Sequence, residues 1–203
     1  MMTRGEQKHK EILKDVPLTL VFVRHAQSGQ DNGAMELGPA LTSLGERQAD
    51  RLARRLSEET FDHIYSSDLV RAWQTTQYIL SHRSHSPWTV SSDLREVSHH
   101  HFAPGHIPLT LSMRKTIREE RLALERFISL IRCTHVPGEK ILVVCHGNVI
   151  RSIVPVFANR RPEKSIMMDV NNTAIVILEV WSSGEAVLRL ANCVRHLMPK
   201  QVT

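Results

Sequence analysis

Two histidines directly follow two apolar runs, and a third segment adds an arginine. Leu18–Val23 (LTLVFV) ends in Arg24-His25, and Ile141–Cys145 (ILVVC) ends in His146-Gly147. The third segment, Tyr65-Ser66-Ser67-Asp68-Leu69-Val70-Arg71-Ala72, has the same strand-to-helix character. Imidazole exchanges protons near neutral pH, and guanidinium presents a planar fork of donors suited to anionic oxygens. Such groups brought together would handle an anionic ligand.

Short runs of valine, isoleucine and leucine read as buried strands of a parallel sheet, and ligands of open α/β sheets bind beyond the carboxyl ends of such strands. Both histidines are therefore predicted at the edge where chemistry occurs, although they lie far apart in the chain. After the strand Leu18–Arg24 comes a loop, Ala26–Pro39, carrying Gly29, Gly33 and Gly38. Ser43-Leu44-Gly45-Glu46 has capping-box spacing and opens a helix with Leu44, Gln48/Ala49, Leu52/Ala53 and Leu56 on one face. A short strand at His63–Ser66 leads into a helix over Leu69–Ser81, and a third strand is predicted at Trp88–Ser91. Residues 93–109, with Pro104, Gly105, Pro108 and several histidines, read as a loop. A long helix over Leu111–Cys133 places Met113, Ile117, Leu124, Phe127, Ile128 and Ile131 at helical spacing, and Pro137-Gly138 ends it. Strand Ile141–Cys145 runs into a helix beginning near Asn148, and Thr173–Val180 with Ala186–Leu190 form a hairpin across Ser182-Ser183-Gly184. This alternation predicts an α/β fold, a three-layer α/β/α sandwich whose mostly parallel central sheet has an antiparallel edge strand. Residues 1–16 read as a polar N-terminal extension with a short helix over Glu6–Asp15, and residues 17–203 as one domain.

Bulk properties narrow the function classes. At 203 residues the chain can bury a sizeable core as one domain. A formal charge of +5 and a pI near 9.4 suit a phosphorylated small molecule or protein segment. The basic residues are dispersed and aromatic content is 5%, so nucleic acid is not an expected partner. Cys133, Cys145 and Cys193 form no C-x-x-C pair and are odd in number, which argues for a reducing compartment. The opening MMTRGEQKHKEILKDVP lacks the apolar core of a signal peptide, and no stretch approaches the roughly 20 apolar residues that span a bilayer. The expectation is a cytoplasmic protein without a membrane partner. The sequence does not determine an oligomeric state; a homodimer is one option.

Five segments in order resemble the signature of the histidine phosphatase superfamily, the phosphoglycerate mutase-like branch 1. Arg24-His25-Ala26-Gln27-Ser28 resembles R-H-G-E-T, and Leu41-Thr42-Ser43-Leu44-Gly45-Glu46-Arg47-Gln48-Ala49 resembles L-T-x-x-G-x-x-Q-A. Tyr65 to Thr75 resembles Y-S-S-x-L-x-R-A-x-Q-T, Leu94-Arg95-Glu96 the strand-following acid, and Cys145-His146-Gly147 the second histidine. Any one piece alone is weak; together they are specific. Ala26 and Gln27 depart from the usual glycine and glutamate. That departure, with Cys145–Arg151 and Asn171–Ile175, is similar to the protein Ser/Thr phosphatases of the phosphoglycerate mutase type.

The resemblance implies a phosphoglycerate mutase-like fold and phosphoryl transfer without metal or cofactor. Such transfer needs an in-line nucleophile and positive groups around the equatorial oxygens. His25 would attack phosphorus and carry a phosphohistidine intermediate. Arg24, Arg71 and His146 would bind phosphate, His146 protonated once phosphate arrives. The family places an asparagine six positions after the nucleophile; here Asp31 stands there, with Asn32 next, so Asn32 is the expected substitute. Glu96 would protonate the leaving alkoxide and then activate water, which requires a raised pKa.

Plainer readings compete at each position. An isolated Arg-His pair is only a strand end, and Arg71 alone is an ordinary first-turn residue, although first turns favour acids. Glu96 precedes Val97-Ser98-His99-His100-His101-Phe102, where the family often carries glycine and tryptophan. His99, His100, His101 and His106 raise a metal site, yet adjacent loop histidines seldom close a tetrahedral one, and an exposed or substrate-facing loop is preferred. Mutases resembling this family carry a longer insertion between the acid and the second histidine than residues 97–145 provide. A phosphatase acting on phosphorylated small molecules or phosphoproteins is therefore expected. The alternatives are mutase-type transfer and a catalytically weak module that binds phospho-ligands.

Overall fold

The apolar runs become neighbouring strands of one sheet. The computed structural model describes residues 16–30, 36–83, 86–99, 109–159 and 168–203. Within them, β1 (Leu18–Arg24), β2 (His63–Ser67), β3 (Trp88–Ser91), β4 (Lys140–Cys145), β5 (Ile175–Val180) and β6 (Ala186–Cys193) pair in the order β3-β2-β4-β1-β5-β6. The first four run parallel, whereas β5 is antiparallel to β1 and β6 to β5. The hairpin expected from Ser182-Ser183-Gly184 thus supplies the antiparallel edge, with Gly184 at φ 84°, where a side chain would be strained.

Among the described residues, four α-helices cover the sheet: α1 (Ser43–Leu56), α2 (Val70–Ser81), α3 (Leu111–Thr134) and α4 (Gly147–Phe157). Successive side chains of a strand point to opposite faces. Val21 and Val23 of β1 therefore join Leu142 and Val144 of β4 beneath Leu52, Leu56, Ala72 and Ile79 of α1 and α2. Leu20, Phe22, Ile141 and Val143 meet Leu124, Phe127, Ile128 and Ile131 of α3, and Val149, Ile150 and Ile153 of α4, on the other face. Because both faces are covered, the strands read as continuous apolar runs rather than alternating ones. Each fully buried side chain of this kind contributes about 1.5–3 kcal/mol, against about 0–1 kcal/mol for an exposed ion pair. The two apolar clusters hold the three layers, not exposed pairs such as Arg54–Asp50.

The chain travels outward from β1 to β3 over one face and returns through β4 to β5 over the other. Right-handed crossovers require this change of face when the direction reverses. The return inserts β4 between β2 and β1. Arg24 pairs with Cys145, and Ser66 with Val144, so the carboxyl ends of all three strands are level.

One local expectation shifts by a residue. The cap of α1 is Thr42, not Ser43: Thr42 Oγ1 accepts from Gly45 N at 3.1 Å. A tertiary contact selects it, because Gln27 Oε1 accepts from the same hydroxyl at 2.7 Å and Gln27 O accepts from Thr42 N at 3.0 Å. The early part of α3 is less enclosed than its periodicity predicts; Met113 and Ile117 are half-buried and Leu111 is exposed. The helix predicted over Glu6–Asp15 lies outside the described residues.

Candidate active site

The level strand ends bring three sequence-distant segments to one point. His25 leaves β1 with its backbone N–H donating to Cys145 O at 2.9 Å, so the first histidine is tied to the strand that carries the second. The His25 and His146 ring centroids are 5.0 Å apart, inclined by 59°. Both side chains are buried, as is Arg71 in the first turn of α2.

The tautomer of His25 follows from its neighbours. A carbonyl accepts and an arginine donates. Nδ1 lies 2.7 Å from Ala26 O and must carry the proton, whereas Arg71 Nε donates to Nε2 at 3.2 Å. Nε2 therefore presents its lone pair. Burial foremost, with Arg71 and Arg24 nearby, lowers the His25 pKa to about 3 despite the Ala26 carbonyl. The imidazole is neutral at physiological pH.

Arg24 is anchored beside it. Its Nη1 donates to Val170 O at 2.7 Å, while its Nε is buried without a hydrogen-bond partner among the described residues. Gly147 opens α4 against this side chain, since a Cβ there would stand 3.7 Å from Arg24 Cδ and Nε. His146 is the N-cap of α4, with Nε2 3.0 Å from Ser67 Oγ and Nδ1 without a partner among the described residues. Burial, then His25 and the two arginines, hold its pKa well below the ordinary histidine value. Its surroundings therefore oppose the protonation expected of His146.

Glu96 follows a 3-10 turn, Ser92–Leu94, at the end of β3. Its Oε1 accepts from Val97 N and from Asn148 N in the first turn of α4, each at 3.2 Å. Both bonds, and the charges of Arg24 and Arg71, favour the carboxylate; burial opposes them and prevails, so the pKa is raised. The same carboxyl is thus coupled to both arginines and suited to holding a proton nearer neutrality.

The expected residues His25, Arg24, Arg71, His146 and Glu96 converge. Asn32 lies outside the described residues, as do His100, His101 and His106. Among the described residues, no three His, Cys, Asp or Glu side chains gather as a metal site. Four further residues support the corner and were not picked out as site residues from the sequence. Thr75 Oγ1 accepts from Ala26 N at 3.0 Å and donates to Arg71 O at 2.7 Å, joining the nucleophile loop to the arginine helix. Ser67 orients His146, Asn148 N binds Glu96, and Asn172 Nδ2 donates to His25 O at 2.8 Å. All four stand within the quoted motif stretches, and that position was their only signal.

Similarity to known proteins agrees with this arrangement. The sequence profile of the histidine phosphatase superfamily (branch 1) matches residues 20–110 and 115–193. The chain is 29% identical over 207 residues to phosphoglycerate mutase-like protein 4 of Arabidopsis thaliana, covering 88% of this chain and 86% of that protein. It is 28% identical over 193 residues to the mitochondrial serine/threonine-protein phosphatase PGAM5 of Xenopus tropicalis, covering 91% and 67%. The crystal structure of the alpha-ribazole phosphatase from Shigella flexneri superposes with a TM-score of 0.68 at 20% identity, covering 87% of this chain and 97% of that one, which shows the shared fold. Level strand ends, a neutral histidine facing an arginine and a profile matching nearly the whole described domain lead to one conclusion: this chain belongs to the histidine phosphatase superfamily, branch 1.

Proposed function

We propose that the chain is a metal-independent phosphomonoesterase acting through a phosphohistidine on His25. The observation that carries the reading is the unprotonated Nε2: the Ala26 carbonyl holds the proton on Nδ1, and the Nε2 lone pair, which accepts from Arg71, is the one that can attack phosphorus. Phosphate binds among Arg24, Arg71 and His146, with Asn32 as a further donor. Nε2 attacks phosphorus in line, the phosphorus–oxygen ester bond breaks, and Glu96 gives its proton to the departing alkoxide. The Glu96 carboxylate then takes a proton from water as the water oxygen attacks phosphorus. The phosphorus–nitrogen bond breaks, its electron pair returns to Nε2, and phosphate leaves with Glu96 protonated again. Positioned acid–base catalysis of this kind contributes about 10²–10⁴-fold.

Hydrolysis is preferred to mutase-type transfer because residues between Glu96 and His146 are largely spent on α3 and β4, which belong to the layers of the fold. The substrate class is phosphorylated small molecules or phosphoproteins, and the named relatives include phosphatases of both kinds. Three free cysteines support a cytoplasmic setting. No helix among the described residues is long and apolar enough to cross a membrane.

The test is hydrolysis of p-nitrophenyl phosphate and a panel of phosphorylated metabolites and peptides, with and without EDTA, beside His25→Ala. EDTA-resistant turnover that disappears in the variant is expected. Turnover by His25→Ala at the wild-type rate would overturn the mechanism, and phosphate binding without turnover would replace the enzyme by a binding module.

A further inference from the structure

The backbone of residues 25–27 leaves the sheet, so its polar groups must find partners elsewhere. Cys145 O, Thr75 Oγ1, Thr42 N and Thr173 N meet some of them, and two buried carboxamides add bonds from opposite sides. Asn172 Nδ2 donates to His25 O at 2.8 Å, and Gln48 Oε1 accepts from Gln27 N at 2.8 Å. The two ends of a carboxamide are nearly identical in shape and opposite in hydrogen-bonding sense. Either amide turned over would face the nucleophile loop with the wrong group, so something must fix both.

Backbone groups set the sense of each amide, Gln27 N–H and Gln201 O for Gln48 and His25 O for Asn172, and the Thr203 hydroxyl joins the two. Thr203 Oγ1 accepts from Gln48 Nε2 at 3.0 Å and donates to Asn172 Oδ1 at 3.1 Å. Gln201 O also accepts from Gln48 Nε2 at 2.7 Å, and Thr203 O accepts from Asn172 N at 2.8 Å. Followed from Gln27 N–H, the bonds run to Gln48, to Thr203, to Asn172 and to His25 O, every donor pointing the same way. A chain of like-directed hydrogen bonds strengthens each member. Gln48 and Asn172 are buried, whereas Thr203 is exposed at the rim.

We propose that the Thr203 hydroxyl is a positioning residue for His25: it closes a head-to-tail circuit through Gln48 and Asn172 that holds the backbone on both sides of Ala26. Its kinetic consequence rests on the phosphohistidine reading; the circuit itself does not. The hydroxyl bonds to the two amides and not to the imidazole, and acts through them.

The experiment compares Thr203→Val, which removes the hydroxyl at constant shape, with Thr203→Ser, which keeps it. Two readouts are taken on the full chain: steady-state hydrolysis of p-nitrophenyl phosphate, and the ¹⁵N shifts of the His25 ring in ¹⁵N-histidine protein, assigned with His25→Ala. Thr203→Val is expected to lower kcat about five- to tenfold, the scale of one or two neutral hydrogen bonds, with a smaller change in KM. It is also expected to move the His25 ring shifts, and Thr203→Ser to restore both. Wild-type kcat and ring shifts in Thr203→Val would overturn the proposal, as would equal losses in Val and Ser or a loss confined to thermal stability. If the wild-type chain hydrolyses nothing, the phosphatase reading fails, and the ring shifts alone decide the circuit.

Discussion

Arg71 Nε and His25 Nε2 stand 3.2 Å apart, and only one arrangement of protons makes that contact a bond. Arginine has no acceptor, so Nε2 must accept, and the Ala26 carbonyl takes the proton on Nδ1. The pair therefore holds a nucleophilic nitrogen and a permanent positive charge together, with burial keeping the imidazole neutral. Attack on an anion requires both.

Arg71→Lys tests whether charge alone suffices. Lysine keeps the charge but loses the fork that can hold Nε2 and a phosphate oxygen together. A charge-assisted hydrogen bond is worth about 1.5–3 kcal/mol, so kcat/KM for p-nitrophenyl phosphate should fall about 10- to 100-fold. Titration of kcat and KM separately checks it; an unchanged kcat/KM would remove Arg71 from the chemistry.

Glu96→Gln separates the two half-reactions. p-Nitrophenolate is a good leaving group and needs little help from an acid, but water still needs a base. Steady-state turnover should drop about 10²–10⁴-fold while an enzyme-equivalent burst of p-nitrophenol survives. Stopped-flow absorbance and acid-quenched protein phosphate content measure this. Loss of the burst together with turnover would place Glu96 elsewhere in the mechanism.

Stability should fall on acidification before the carboxylates titrate. The pKa values of buried His25 and half-buried His196 are lowered to about 3 and about 4, and buried His146 is shifted in the same direction. In the unfolded chain these rings ionise near 6.5. Between the two values the unfolded state binds more protons, so stability rises with pH. The contribution is complete above about pH 6.5 and is lost as pH falls through the folded values. Glu96, shifted upward, acts in the opposite sense and loses its contribution as pH rises through its raised value, but it is one group against four, since His63 is also lowered by burial. Calorimetric Tm should decline steadily from about pH 7 to about pH 4.5, and less steeply in His196→Asn. A flat profile would contradict the neutral burial of these rings.

Gly45→Ala sets helix propensity against packing. In a helix interior alanine is favoured over glycine by about 1 kcal/mol, which is the upper bound for Gly45 in the first turn of α1. The alanine Cβ, however, would stand 1.9 Å from Gln27 O, a backbone atom in the nucleophile loop. Overpacking costs about 1–3 kcal/mol or more, so packing should win, with Tm lower by several degrees and kcat reduced. Thermal unfolding and p-nitrophenyl phosphate hydrolysis check both; a stabilised variant of normal activity would refute the contact.

The sequence by itself determined the strands, the helices and the edge at which chemistry gathers. Hydrophobic period is a local signal, and a strand buried on both faces announces itself in a run such as Leu18–Val23 or Ile141–Cys145. His25, Arg71, Glu96 and His146 were legible because they terminate or follow such runs within an ordered set of motifs. The alignment of Arg24 with Cys145, which sets the two imidazoles side by side, was settled only by the folded sheet. The same is true of the Thr42 cap, the His25 tautomer and the circuit through Gln48, Thr203 and Asn172. Gln48 falls on the apolar face of its helix in sequence, but its partners do not show there, because hydrogen bonds between distant polar groups have no period. Their partners exist only when folding brings the donor and the acceptor to the same place.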